Sequence, residues 1–364
     1  MEQIRQALSD LFEEFSVQMK ADPATADRSL LGTGRQMVQE HLQANAVLDP
    51  EIVHSGYKFC YWLDDRQGIV DLMTCYLGQS LPLEEEAWAR WEQMDHMAGL
   101  RQCEAVVERQ KALLDWAKAH LSPDRLLWVM YDSTQSLCWH QVGMGDEWLQ
   151  IFEEIMGAVV PSPENRYDRF QYLRTAAVMW NVQGKTQEAL HLIDSMHRLC
   201  DEDVMWKDRI DLKVKTLAYA ITTWDHLKEI RKIEEIGREA QALLEDYERT
   251  LPNPMKPSQQ HDLGVAYDNV GSSLFFAGYY EVSIPLERRA IALAPLYEWI
   301  YLRLATAVWA TTKDRTEALA ILKQGAAVSS GGRLKLETRP EFSDVIEDPE
   351  FLDAAISHYP GVYV

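Results

Sequence analysis

The stretch Gly264–Pro295 reads GVAYDNVGSSLFFAGYYEVSIPLERRAIALAP, and its spacing decides the fold. Tyr267, Val270, Gly271 and Leu274 recur three and four apart, the period of one helix face. Gly278 breaks this pattern, and a second helical stretch runs over 280–293 with Ala290 on it before Pro295 closes the unit. Two helices joined by so short a turn make an antiparallel hairpin.

Upstream the same order recurs. Leu173, Ala176, Ala177 and Trp180 form one stripe, Gly184 and Lys185 interrupt it, and Ala189, Leu190, Ile193 and Met196 form a second. Turn signals divide the remainder at 64–68, 121–124, 143–146, 161–163, 224–226 and 313–315. The periodicity predicts helices over 2–19, 29–46, 50–63, 67–78, 83–100, 103–120, 124–141, 146–159, 165–183, 186–200, 204–223, 226–248, 259–277, 280–293, 297–312 and 315–328, paired as hairpins. Alternating, β-branched strand patterns are nearly absent, so the chain is all-α. The three prolines within 251–257 force extended backbone and read as a long turn inside a continuous stack.

Leu304-Ala305 carries the small residue one repeat on, since 305 − 271 = 34. The units Tyr267-x2-Val270-Gly271-x2-Leu274-x3-Gly278 and Leu173-x2-Ala176-Ala177-x2-Trp180-x3-Gly184 resemble the tetratricopeptide repeat. In that family a small residue midway along the first helix lets the second cross closely, a glycine ends the first helix, and an alanine lies at the contact in the second. The resemblance is close over 165–330 and architectural over 1–164, where Gly143 and Gly184 stand 41 residues apart. Ser283 and Glu287 depart from the pattern, which has an alanine and an aromatic there. The resemblance implies an α-solenoid of antiparallel hairpins wound as a right-handed superhelix. Its expected parts are divergent hairpins over 1–164, repeats over 165–330 and a capping segment over 331–364. Residues 339–352 resemble the closing element of bacterial repeat arrays. Phe342, Val345, Ile346, Phe351 and Leu352 are expected to cover the last hairpin while the acidic residues face water.

Thirty-six basic against 57 acidic residues give 364 residues a net charge of −21, which repels phosphate backbones and anionic membranes. Nucleic acid and membrane are therefore not expected partners. The first twenty residues lack the apolar core of a secretion signal, and no apolar run reaches the length of a membrane span, so a soluble cytoplasmic protein is expected. Cys60, Cys75, Cys103, Cys138 and Cys200 contain no CxxC pair and read as reduced core thiols. The histidines include no HExxH and no pair four apart, so no metal or other cofactor is expected. Cys138-Trp139-His140 places thiol and imidazole two apart, on different sides of a helix. The run Leu31-Gly32-Thr33-Gly34-Arg35 reads as a loop and helix start, lacking the rest of a phosphate-binding motif. Glu84-Glu85-Glu86 complement a helix N-terminus, and Asp64-Asp65 with Asp71 lack calcium-loop spacing.

These absences leave an interaction protein as the expected function, not an enzyme. In the resembled family the first helices of successive hairpins line a concave groove. Carried over at matched positions, the groove residues are Arg174, Thr175, Val178, Lys215, Tyr219, Asp268, Asn269, Ser272, Phe275, Phe276, Arg303 and Thr306. Arg174, Lys215 and Arg303 would form a locally basic face for an acidic peptide or protein segment, with Asn269 on its backbone and Phe275 or Phe276 as apolar anchor. The alternatives are a sensor of a peptide or small molecule, and an enzyme with a cavity lined by Trp62, Trp88, Trp91, Trp128, Trp139 and Trp148.

Overall fold

A computed structural model describes all residues except 1, 24, 45–46, 101–102, 140–145, 202–208, 330–331 and 357–364, and leaves undescribed the side chains of 103–105, 107, 137–139 and 146–149. The described chain is all-α, and its one extended pairing is an isolated bridge between Arg333 and Ile356. It divides into two compact units, over residues 1–175 and 176–358. In each, helices pack mainly on their neighbours along the chain, the arrangement of a helical-repeat stack.

The first unit holds α1 (Glu2–Ala21), α2 (Ser29–Ala44), α3 (Pro50–Trp62), α4 (Arg66–Tyr76), α5 (Leu83–Gly99), α6 (Cys103–His120), α7 (Pro123–Trp139), α8 (Asp146–Ala158) and the start of α9 (Arg166–Val182). Local chemistry starts these helices where the sequence says. Asp49 precedes Pro50 and accepts from the Glu51 amide at 3.1 Å, and Asp65 accepts from the Gly68 amide at 2.9 Å. Leu8, Phe15, Leu31, Ile52, Phe59 and Met73 form one core at essentially zero exposure, each contributing about 1.5–3 kcal/mol by burial. The glycine run at 32–34 lies inside α2, not ahead of it. Gly34 is small because the Phe59 ring lies where a Cβ would sit.

The second unit continues from α9 through α10 (Thr186–Asp201), α11 (Ile210–His226), α12 (Ile230–Thr250), α13 (Pro257–Phe276), α14 (Tyr280–Leu293), α15 (Trp299–Thr312), α16 (Arg315–Val328) and the short α17 (Pro349–Ala354). First helices also touch across hairpins, α11 on α13 and α13 on α15. The proline-rich turn at 251–256 joins helices of the same unit, and Pro257 opens α13. At Gly264 a Cβ would stand 2.7 Å from the Ala294 Cβ, so that position requires glycine for close approach.

One turn recurs in both units. Asp64, Gly184, Lys228 and Gly278 take left-handed backbone after the first helix of a hairpin. The next amide then donates to a carbonyl five residues back: Asp65 to Cys60, Lys185 to Trp180, Glu229 to Trp224 and Tyr279 to Leu274, at 2.8–3.1 Å. This six-to-one bond caps the helix and sets the reversal. The α11–α12 turn therefore lies at 227–229, three residues beyond its expected place, because Trp224 continues the stripe of Leu217 and Ile221 into the last turn of α11.

The described part of the closing segment packs on the last hairpin. Phe342, Val345 and Phe351 join Leu304, Trp309 and Leu322 in one core, whereas Leu352 is exposed and Ala354 and Ala355 take its expected place. The acids do more than face water. Asp344 accepts from Trp309 Nε1 at 3.0 Å and from Lys313 at 3.1 Å, and Asp348 and Glu350 clamp Arg315 at 2.8–3.0 Å.

Candidate functional site

In the second unit the expected groove residues do not form an open basic face. Arg303 is buried at 7% exposure, and its guanidinium is held by Asp268 and by Glu287, the latter at 2.9 Å. Glu287, at zero exposure, fits because Gly271 leaves space beside it. Thr306 is fully buried and returns its hydroxyl to the Leu302 carbonyl at 2.6 Å. The cause is the setting of α15, which α13, α14, α16 and the 3₁₀ turn Pro340–Phe342 surround. Burial works against charge on both Arg303 and Glu287; the nearby Arg339 opposes the shift on Glu287 and adds to that on Arg303. Phe275 is buried and Phe276 exposed, and Arg339 of the closing segment sits 5.4 Å from each ring centre. Asn269 and Ser272 are half-buried, with the Ser272 hydroxyl spent on the Asn269 carbonyl at 3.1 Å. Val178, Lys215 and Tyr219 are half-buried.

Arg174 and Thr175 belong to the first unit. Thr175 is buried and bonds back to the Gln171 carbonyl at 3.0 Å, and buried Arg174 donates to Gln135 of α7. Arg174 thereby borders a group that the spacing of single stripes did not reveal, on the first helices α3, α5, α7 and α9.

Its centre is on α5, where Trp88, Glu92 and Asp95/His96 fall on one face at intervals of four and three or four. Glu92 is 5% exposed, accepts from Trp88 Nε1 at 3.1 Å and lies 3.5 Å from His96 Nε2. Asp95 accepts from the Ser136 hydroxyl of α7 at 2.5 Å. From α3, Tyr57 meets Trp88 edge-on at 5.7 Å and His96 at 6.0 Å, while His54 stacks on Trp88 at 4.1 Å and bonds Glu85 at 3.1 Å.

Asp132 of α7 completes the group. Burial pushes its pKa up to about 6; Arg174 opposes the shift, and Asp168, Glu92 and Asp95 add to it. Burial, with Glu92 beside it, likewise raises the Tyr57 phenol. On α5 two buried polar atoms meet no hydrogen-bond partner among the described residues: Trp91 Nε1 and His96 Nδ1. Carboxylates thus outnumber the nearby guanidinium, beside aromatic faces and two unspent polar atoms. This arrangement suits a polar cationic group. A hint was legible at Trp88, but Glu92 and His96 sit on the buried stripe of α5, where periodicity anticipates apolar residues.

Of the other expected tryptophans, Trp62 packs edge-on against Phe15 of α1 at 5.4 Å, and Trp91 and Trp128 are half-buried on α5 and α7. Trp139, Trp148 and the Cys138-Trp139-His140 run lie outside the described side chains. Among the described residues, no three His, Cys, Asp or Glu are grouped to hold a metal ion, and no helix is long and apolar enough to cross a membrane. Comparison with protein-family models and with curated proteins finds no match.

Proposed function

We propose that this protein is a non-catalytic binding module that holds a basic peptide or protein segment on the first helices of its N-terminal hairpins. One observation carries the reading: Glu92, Asp95 and Asp132 gather beside Tyr57 and Trp88, with Arg174 as the neighbouring cation. A lysine or arginine of the partner would pair with these carboxylates while its stem lies on the aromatic rings. A net charge of −21 speeds the approach of such a partner. The resemblance to tetratricopeptide repeats supports the same face, since first helices line the groove there. Supporting a basic rather than an acidic segment, Arg303 is committed to Asp268 and Glu287.

Fluorescence polarisation with paired basic and acidic peptides tests this. Basic peptides are expected to bind, and Glu92→Gln with Asp132→Asn to weaken them by about 1.5–3 kcal/mol per lost charged contact. Preference for acidic peptides, or equal binding by the double variant, would overturn the reading.

A further inference from the structure

A cleft of about 410 Å³ opens between α10 and α12 in the second unit, floored by α11. Its volume lies within the range of small-molecule sites, roughly 300–1,000 Å³. The space has a plain origin. Both α10 and α12 pack on α11, and α11 places Leu217, Ala220 and Trp224 along the floor at spacings of three and four. Ala220 is the small member, so a larger residue there would fill the space. Ile193 of α10 and Ile236 of α12 extend the apolar lining from either side.

The mouth is charged. Exposed Asp194 on α10 and exposed Glu239 on α12 border it from opposite helices, with His191 and His197 on α10. Burial lowers the His197 pKa despite Asp201, Glu239 and Asp194 nearby, so that imidazole adds no positive charge near neutral pH. The nearby Lys213 is paired with Asp201 at 3.4 Å. Two carboxylates therefore stand over an apolar, tryptophan-walled floor.

We propose that this cleft binds a small organic cation, an arylalkyl amine whose ring packs on Trp224 and Ala220 and whose ammonium lies between Asp194 and Glu239. The apolar floor holds the body, and the paired carboxylates select the charge. A carboxylate of the same shape meets like charge at the mouth and is rejected.

Titration calorimetry on the full chain tests the proposal, with 2-phenylethylammonium and 3-phenylpropionate as charge-opposed probes. The amine is expected to bind and the carboxylate not. Affinity for the amine should fall about tenfold or more in Asp194→Asn/Glu239→Gln, and again in Ala220→Leu. Circular dichroism establishes that each variant is folded; if Ala220→Leu is not, the exposed double charge variant decides. The proposal is overturned if the amine fails to bind wild type, if both probes bind equally, or if the charge variant binds the amine unchanged. Loss of amine binding only in Glu92→Gln/Asp132→Asn also overturns it, by placing the amine on the first unit's acidic face. Failure here leaves the basic-peptide reading standing, because that reading is tested with peptides and other residues.

Discussion

Removing the Arg303 guanidinium leaves Asp268 and Glu287 buried without the cation that holds both. Arg303→Ala is therefore expected to cost about 3–5 kcal/mol in urea unfolding, far more than a surface arginine. A cost below about 1 kcal/mol would show the triad to be solvated. The departures at Ser283 and Glu287 were visible in the sequence, but their reason was not. A carboxylate in a core position makes sense only once Gly271 and Arg303 are known to adjoin it. Asp132 supplies the second test. Its folded pKa of about 6 exceeds the ordinary carboxylate value, so its contribution to stability is full below about pH 4 and is lost as pH rises through 6. Asp132→Asn should stabilise the protein by about 1–3 kcal/mol near pH 8 and change little near pH 4, read from thermal melts at both. Destabilisation near pH 8 would mean that the carboxylate is paired in the folded state.

At the scale of elements, the hairpins themselves were legible because turn residues and helix periodicity agree over most of the chain. The α11–α12 turn was not, because Lys228 occupies the left-handed position that Gly184 and Gly278 hold elsewhere. Left-handed backbone costs a side-chain-bearing residue roughly 1–2 kcal/mol, so Lys228→Gly should stabilise by up to about 1 kcal/mol after the entropy cost of glycine. A lower urea midpoint for that variant would contradict the turn geometry. Gly264→Ala should destabilise by about 1–3 kcal/mol, since the added methyl meets Ala294 at 2.7 Å with backbone close behind. The closing segment follows another logic. Asp344 and Asp348 have depressed pKa values, chiefly from hydrogen bonds with Trp309 and Arg315, so their help is present above the usual carboxylate range and lost as pH falls through it. Hydrogen exchange in 340–352 should accelerate first on acidification, while α13 and α14 stay protected.

For the whole molecule, the excess of acidic residues sets up a field that repels nucleic acid, yet the expected acidic partner asked cations inside an acidic chain to serve as ligands. Side-chain contacts point the other way: Arg303 serves its own helices, and the carboxylates of α5 and α7 gather beside Tyr57 and Trp88. Which charges neutralise each other depends on packing between residues tens of positions apart, and no single helical stripe encodes it. Binding of a basic partner should weaken with added salt and also as pH falls through 6, when Asp132 takes up its proton. The central claim is tested most directly by hydrogen–deuterium exchange of the full chain with and without a basic, aromatic-containing peptide selected for binding. Protection is predicted to concentrate in α5 and α7, with α3 beside them, and to vanish in Glu92→Gln/Asp132→Asn. Protection confined to the second unit, or unchanged in the double variant, would contradict the account.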